Sequence, residues 1–456
     1  MFVNNIFSIY GAIISRVFTL TANRIKSQTA VMTTVITVAL VTAFISTPVI
    51  AQKWTLESSV KQAMSVSPEL QKSTAEIGAL QADINLSTMW PDPEIEMRVD
   101  NMLGKDDGAG GYDLTDITVR QSIPMSRIKY QESASEASLR AAKYFRQYQS
   151  LQVQNRVSKV FHQLQFASAR LVLAEKQLEF ANEINNQNKK NSSATVVRYM
   201  TPLEKMRLGI IREEARQATA NAEGKYKEVL SEFVKLLGIE MNEVDDVSRL
   251  HSIETMPDIE KLKQMQHEHA QLSGQKQKVE AANHNIDVAR SSQSIDPSIG
   301  LSWSRDSLSI GRTDIYAIML NVQIPLSDRK NVAQSKATYK ASQQKIEYQL
   351  LKRELRINLN RSFAHLNHVI EQAMEYEGKV LKPSSKMLEL TNDGFASGEL
   401  SILSLVDANN TFFESRLTYL DLLYQARVEL AEVKLFAGQL IVDTDSQHLN
   451  LNTLGE

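Results

Sequence analysis

Side chains able to do chemistry are few in this chain and poorly grouped. His365 and His368 stand three apart and could share a ligand on one helical face, whereas His267 and His269 stand two apart, which on a helix turns them to different faces. A zinc site needs three or four donors, and neither pair has a third nearby in sequence, so these histidines read as surface residues and no metal or cofactor is expected. There are no cysteines, which excludes a disulfide framework, a thiolate metal site, a thiol nucleophile and a lipidated N-terminal Cys. No phosphate loop, dinucleotide fingerprint, nucleophile elbow or His-Glu-x-x-His pair occurs. The cluster from Gly108 to Gly111 reads as a hairpin loop, because no helix follows it to hold a phosphate. The expectation is a protein that is not an enzyme. What remains is acidic: Glu389, Asp393 and Glu399 lie close together beside a helical turn. Exposed charges of this kind are usually only solvated. Repeated around a symmetry axis, however, rings of carboxylates select cations, and these three become candidates for a constriction.

The elements that must position those acids follow from composition and periodicity. Over 456 residues there are only 17 Gly and 10 Pro, which favours long helices over a sheet-rich globule. A formal charge of −2 leaves no basic footprint, so no nucleic-acid partner is expected. The one long apolar run, Ala30 to Ile45, is preceded by Arg16, Arg24 and Lys26 and followed by Pro48-Val49-Ile50-Ala51. A basic region, an apolar core and a small-residue site read as a secretory signal over residues 1–51, with Gln52 as the mature start; the competing reading is a membrane anchor. No other stretch is long enough to cross a bilayer as a helix, so a mature chain that spans a membrane does so with strands.

Landmarks recur roughly 200 residues apart, the mark of a tandem duplication. Asp92-Pro93 and Asp296-Pro297 open short alternating runs, Ile123-Pro124 and Ile324-Pro325 close the runs that follow, and Gly238 and Gly438 end long helical stretches. The first repeat covers 52–257, with a β-hairpin at 94–123 and a helical hairpin at 127–238. The second covers 258–440, with a β-hairpin at 298–325 and a helical hairpin at 330–438, and 441–456 form a polar tail. In the strands, Ile95, Val99, Val119, Leu301, Trp303, Ile318, Leu320 and Val322 alternate with Glu96, Arg98, Thr118, Arg120, Asn321 and Gln323. Period two with one apolar face means a half-exposed strand, here with the first set expected toward lipid and the second toward a lumen. Four strands cannot close a barrel, but three chains would supply twelve.

The helical signal is a seven-residue repeat. Val153, Val157, Val160, Leu164, Ala167, Leu171, Ala174, Leu178 and Ala181 step alternately by four and three, as do Leu403, Val406, Asn410, Phe413, Leu417, Leu420 and Tyr424. Leu366, Val369, Ala373, Tyr376, Val380, Pro383, Met387 and Leu390 form the corresponding stripe between them. A sustained heptad is a coiled-coil seam. Each long helix turns back at a polar stretch, Asn188 to Thr201 and Asn392 to Ser401. Thr201-Pro202-Leu203-Glu204 has the order of a helix start, and Asn392 and Gly394 supply residues that stop one. Pro383, about three turns before the second tip, is a natural place to bend. These signals give a mainly α fold class, with long antiparallel coiled-coil helical hairpins and two β-hairpins per chain.

This arrangement resembles the TolC-like outer-membrane efflux protein family from about Lys53 to Leu440. The resemblance is carried by Trp54-Thr55-Leu56-Glu57 through Ser67-Pro68-Glu69-Leu70, Trp90-Pro91-Asp92-Pro93-Glu94, Gln121-Ser122-Ile123-Pro124 and Val322-Gln323-Ile324-Pro325-Leu326. Pro383 through Leu390, Gly394-Phe395-Ala396-Ser397-Gly398 and Leu405-Val406-Asp407-Ala408 complete it. The sub-pattern around Pro91 to Asn101 looks most like heavy-metal cation efflux members. The resemblance implies a homotrimer, with a small twelve-stranded β-barrel in the outer membrane and a long helical tunnel through the periplasm. It also implies tip-first docking to a periplasmic adaptor and an inner-membrane pump. Arg198, Tyr199, Thr201, Gly398 and Ser401 then become adaptor contacts, and Glu389, Asp393 and Glu399 the constriction. Two departures stand out: no Cys carries a lipid, and Val197-Arg198-Tyr199-Met200 replace the usual Gly at the first tip. Drug efflux and type I protein secretion share the fold and differ in cargo, while a periplasmic coiled-coil structural protein would explain the heptads but not the paired hairpins.

Overall fold

The computed structural model describes residues 54–100, 114–124, 127–190, 201–244, 247–253, 256–291, 296–306, 313–322 and 328–442. The expected signal segment, the glycine loop at 101–113, the first tip at 191–200 with Arg198 and Tyr199, Gln323 to Leu326, and most of the polar tail lie outside them. All the elements below belong to one compact unit, Trp54–Glu243 with Val247–Glu456.

Both halves of the chain open with a pair of helices. In the first, Thr55 caps α1 (Leu56–Val66) through a reciprocal box with Ser58, and Ser67 caps α2 (Pro68–Thr88), whose proline occupies the first turn where no N–H is needed. Strands β1 (Glu94–Asp100) and β2 (Leu114–Ser122) follow, then α3 (Arg127–Lys190) and α4 (Pro202–Leu237). In the second half come α5 (Ile259–Gln266), α6 (Ala270–Ser291), β3 (Ser298–Asp306) and β4 (Thr313–Asn321). Helix α7 (Arg329–Tyr376) then leads through a π turn (Glu377–Leu381) into α8 (Lys382–Ala396), and α9 (Ile402–Ala437) returns. At 64 residues α3 is on the order of 96 Å long. No proline interrupts it.

The expected seams on α3 and α9 are present. Val153, Val157, Val160, Leu164, Ala167 and Ala181 are buried, as are Val406, Phe413 and Leu420. Each short helix pair packs on a long helix at an equivalent level, Val60 and Leu70 against Val153 and Val157, and Leu262 against Leu359 and Leu366. The third seam needs correction. Leu366, Val369 and Ala373 are buried as expected, but Val380, Pro383, Met387 and Leu390 are exposed, and beyond the π turn the buried positions are Leu381, Ser384 and Thr391. The wide turn inserts one residue and shifts the stripe by one place.

The two β-hairpins join edge to edge. β2 pairs with β3 from Leu114↔Asp306 to Ser122↔Ser298, giving one antiparallel sheet in the order β1-β2-β3-β4, with β1 and β4 at its free edges. Midway along the long helices, the linker between the halves is laced down. Gln165 donates to the Ser248 and Arg249 carbonyls at 2.6 and 3.2 Å, and Arg427 donates to the His251 and Ser252 carbonyls at 3.1 and 3.0 Å. Trp54 forms a parallel bridge with Val247, and Gln154 Oε1 accepts from the Ile441 and Val442 amides. Among the described residues no helix is long and apolar enough to cross a membrane.

Candidate functional site

The register puts the expected apolar residues on one side of the sheet. Ile95, Val119, Leu301 and Ile318 form one cross-strand row, Met97, Ile117, Trp303 and Tyr316 the next, and Gln121, Ile299 and Leu320 a third. The face is open in the single chain, with Ile318 80% and Tyr316 79% exposed. Val99 shares the face but heads a polar row with Thr115, Arg305 and Asp314. There Arg305 pairs with Asp314 at 2.8 Å and lies 5.1 Å from the Trp303 ring centroid. Aromatic rings next to a charged row mark the border of an apolar band.

The opposite face carries Glu96, Arg98, Thr118, Arg120 and Asn321, with Ser302 and Ser304 beside them and Leu114, Ile315, Ala317 and Met319 as apolar exceptions. Arg120 reaches Glu96 at 3.1 Å and Glu94 at 3.7 Å, and Arg98 reaches Asp100 at 2.9 Å. With Asp116 also on this face, carboxylates outnumber guanidiniums.

At the far end of the helices, Thr201 and Glu204 form the expected capping box, with Thr201 Oγ1 accepting from the Glu204 amide at 3.2 Å and Glu204 Oε2 accepting from the Thr201 amide at 2.8 Å. The second tip differs from expectation. Helix α8 runs through Asn392 and Gly394 to Ala396, and the reversal is made by Gly398 at φ +85°. Gly394 serves a different purpose. A Cβ there would meet Leu400 Cδ1 at 2.7 Å, so its bareness lets Leu400 fold back on the helix while the Glu399 and Leu400 amides bond its carbonyl. Ser401 caps α9 by accepting from the Ser404 amide. Glu389 and Asp393 stand one turn apart on the exposed side of α8, Glu389 pairs with Lys386 at 2.9 Å, and Glu399 lies exposed in the turn itself.

One histidine departs from the surface position expected of it. His269 is buried, its Nε2 against the Leu435 carbonyl at 3.1 Å and its Nδ1 accepting from the Gln271 amide, so both nitrogens are engaged. His365 pairs with Glu429 at 3.0 Å, and among the described residues no three candidate ligands converge. Two further links have no counterpart in the sequence reading. His162 contacts Gln165 at 2.7 Å under the linker, and burial pushes its pKa down to about 4. The Tyr419 hydroxyl donates to Glu377 in the π turn, which lies 3.3 Å from Lys382, and these partners hold the Glu377 carboxyl below its ordinary value. Neither link leaves a local signal. His162 and Gln165 are ordinary polar positions on a helix until the linker covers them, and Tyr419 is far from Glu377 in sequence. In the α9 seam, buried Asn409 and the Asn410–Gln177 hydrogen bond interrupt the apolar packing near the tip, and Asn410 is the one sign of that layer visible in the heptad.

Residues 262–439 match the Outer membrane efflux protein family. Among curated proteins no individual sequence matches the chain. Among solved structures, a membrane protein from Pseudomonas aeruginosa is similar with a TM-score of 0.70 and 15% identity, over 84% of this chain and 90% of that one. CusC is similar with a TM-score of 0.69 and 17% identity, over 84% and 92%. The Campylobacter jejuni CmeC outer membrane channel gives 0.70 and 14%, over 84% and 85%. The chain has the TolC-like channel fold, and its second half carries the pattern of the outer membrane efflux family.

Proposed function

We propose that three copies of this chain form an outer-membrane exit duct, in which β4 of each copy pairs with β1 of the next to close a twelve-stranded barrel above a helical tunnel. The observation that carries this reading is the sheet itself: one apolar exposed face, one charged face and two unpaired edges. A soluble sheet would bury its apolar face on its own helices; this one leaves Ile318, Leu320 and Tyr316 uncovered. Unpaired strand edges in a bilayer are prohibitively costly, so closure requires further copies. The tips at Thr201 and Gly398–Ser401 form the periplasmic mouth that meets an adaptor and, through it, an inner-membrane pump. Heavy-metal cations are the proposed cargo, supported by the sequence sub-pattern, the surplus of carboxylates on the charged face and the acids Glu389, Asp393 and Glu399.

The test is mass by light scattering in detergent together with conductance in planar bilayers. A trimer forming cation-preferring channels is expected, with the preference reduced by Asp393→Asn and Glu389→Gln together. A monomer without conductance would defeat the duct. Unchanged selectivity and undiminished metal resistance in cells carrying the double variant would leave the acids as solvated ends of a helix.

A further inference from the structure

Two apolar stripes run side by side along the tip half of the second long helix. Continuing the heptad of Leu359, Leu366 and Ala373 leads to Val380 and Met387; continuing Ser362, Val369 and Tyr376 leads to Pro383 and Leu390. The helix buries the other stripe, Leu381, Ser384 and Thr391, with Leu388 half-buried, and leaves Met387 39% and Leu390 58% exposed. The unused stripe is the more apolar. The one in use contains two hydroxyls, which must bond back to their own helix, Ser384 to the Leu381 carbonyl at 2.9 Å and Thr391 to the Met387 carbonyl at 2.7 Å. Hydrophobic burial within the single chain does not select it.

We propose that Pro383 is a positioning residue that sets the rotational register of α8 on α9. In an unbroken α-helix its ring would press on the Lys379 carbonyl, and its missing N–H would leave that carbonyl without a donor. The π turn re-routes the backbone bonding just before the proline. Lys382 donates to the Glu377 carbonyl, five residues back, and Pro383 falls in the first turn of the helix that follows, where no N–H is called for. One inserted residue turns everything beyond it by about 100° relative to the unbroken helix. The first long helix, α3, has no proline and no π turn, and its seam stays in phase from Val153 to Ala181. Register is a property of the two packed helices, whatever passes through the assembly. Combined with the duct proposed above, it decides which way Glu389 and Asp393 point.

The absence of cysteine allows a direct measurement in the full-length, membrane-assembled chain. Leu388 packs against the cluster that contains Leu405, so Leu388→Cys with Leu405→Cys is compared with Met387→Cys and Leu405→Cys for cross-linking by a short bis-maleimide. The Leu388 pair is expected to react in excess, by roughly fivefold or more for side chains turned about 100° apart. Pro383→Ala should reverse that preference, and removing Gly378 in the same chain, which deletes the surplus residue, should restore it. An unchanged ratio in Pro383→Ala overturns the proposal. Should Pro383→Ala not assemble, the Gly378 deletion in that background decides: a Leu388 preference supports the assignment, and failed assembly or a Met387 preference overturns it. Conductance of the unsubstituted chain tests the duct separately, since a chain without conductance can still show the register reversal.

Discussion

The Tyr419 hydroxyl lies 3.1 Å from the Glu377 carboxylate, tying α9 to the π turn at the one place where the long helix of the second hairpin changes phase. Lys382 completes the link from the other side of the turn at 3.3 Å. Tyr419→Phe keeps the packing and removes the bond, so a local cost of about 1 kcal/mol is expected, kept low because the carboxylate is half-exposed. Because the Glu377 carboxyl is held below its ordinary value, this contribution is present above the ordinary carboxylate range and is lost as pH falls through the lowered value. Amide exchange around 377–383, compared between the two proteins at neutral pH and at low pH, checks it; faster exchange in the variant only at neutral pH is the expected pattern.

His162 supplies a second pH dependence of larger size. Its folded value of about 4 lies below the ordinary 6.5, so the unfolded chain binds more protons in between. Stability is therefore full above about 6.5 and falls as pH drops toward about 4, by up to roughly 3 kcal/mol. The Arg427 guanidinium adds to the same direction, since it repels an imidazolium. Melting temperatures from pH 7 to pH 4 should fall in the natural protein and fall less steeply in His162→Gln. Parallel curves would mean that the ring finds a proton acceptor when charged.

Gly394 and Gly378 should behave oppositely. Gly394→Ala drives a Cβ into Leu400 and should loosen the second tip, read as faster protease cleavage near 397–400. Gly378 has nothing within 4 Å of the place where a Cβ would stand. Gly378→Ala should be neutral or stabilising by up to about 1 kcal/mol through reduced freedom of the unfolded chain. Equal cleavage of the two variants would count against the role assigned to Leu400.

On the sheet, Leu320→Arg and Asn321→Arg differ by one residue and by the face they occupy. In the proposed barrel the first puts a charge toward lipid at a cost of roughly 2–4 kcal/mol, while the second puts it in the lumen. Loss of Leu320→Arg from outer membranes with retention of Asn321→Arg is expected. Equal tolerance would show that the apolar face meets something other than lipid.

Much of the fold is legible locally, because its signals are local. Alternation in Ile95–Val99 and Leu301–Trp303 fixes a face within a few residues, and Thr201-Pro202-Leu203-Glu204 announces a helix start within four. What is not legible depends on partners distant in sequence. Nothing near Ser122 says that it will lie opposite Ser298. The phase change at 377–381 is hidden for a subtler reason. A heptad search follows the apolar stripe with the better pattern, Val380, Met387 and Leu390, while backbone chemistry at Pro383 selects its neighbour. Pro383 is recognisable as a bend; that the bend adds a residue is not. Gly394 likewise reads as a helix stop, since a sequence does not distinguish a glycine needed for its torsion from one needed for its bareness. The acids Glu389, Asp393 and Glu399 stand at the tip as their positions in the chain suggest, but an isolated chain leaves all three exposed, with Glu389 meeting only Lys386 of its own helix.

The two free edges of the sheet also bear on how such an assembly counts. β1 and β4 are different strands, so copies joined through them associate head to tail, and nothing in that contact names a number. A head-to-tail contact either closes into a ring or continues as an open ribbon, and the angle turned per copy decides which. In the proposed trimer each copy turns through one third of a circle, an angle set by the twist and tilt of four strands together with the helices that hang from them. Small changes on the inner strands, at Gly300 or at buried Thr118, could therefore change the number of copies without touching the residues that join any two. Until the ring closes, every copy carries two adhesive borders, and the cell must keep such chains apart or deliver them to the membrane quickly.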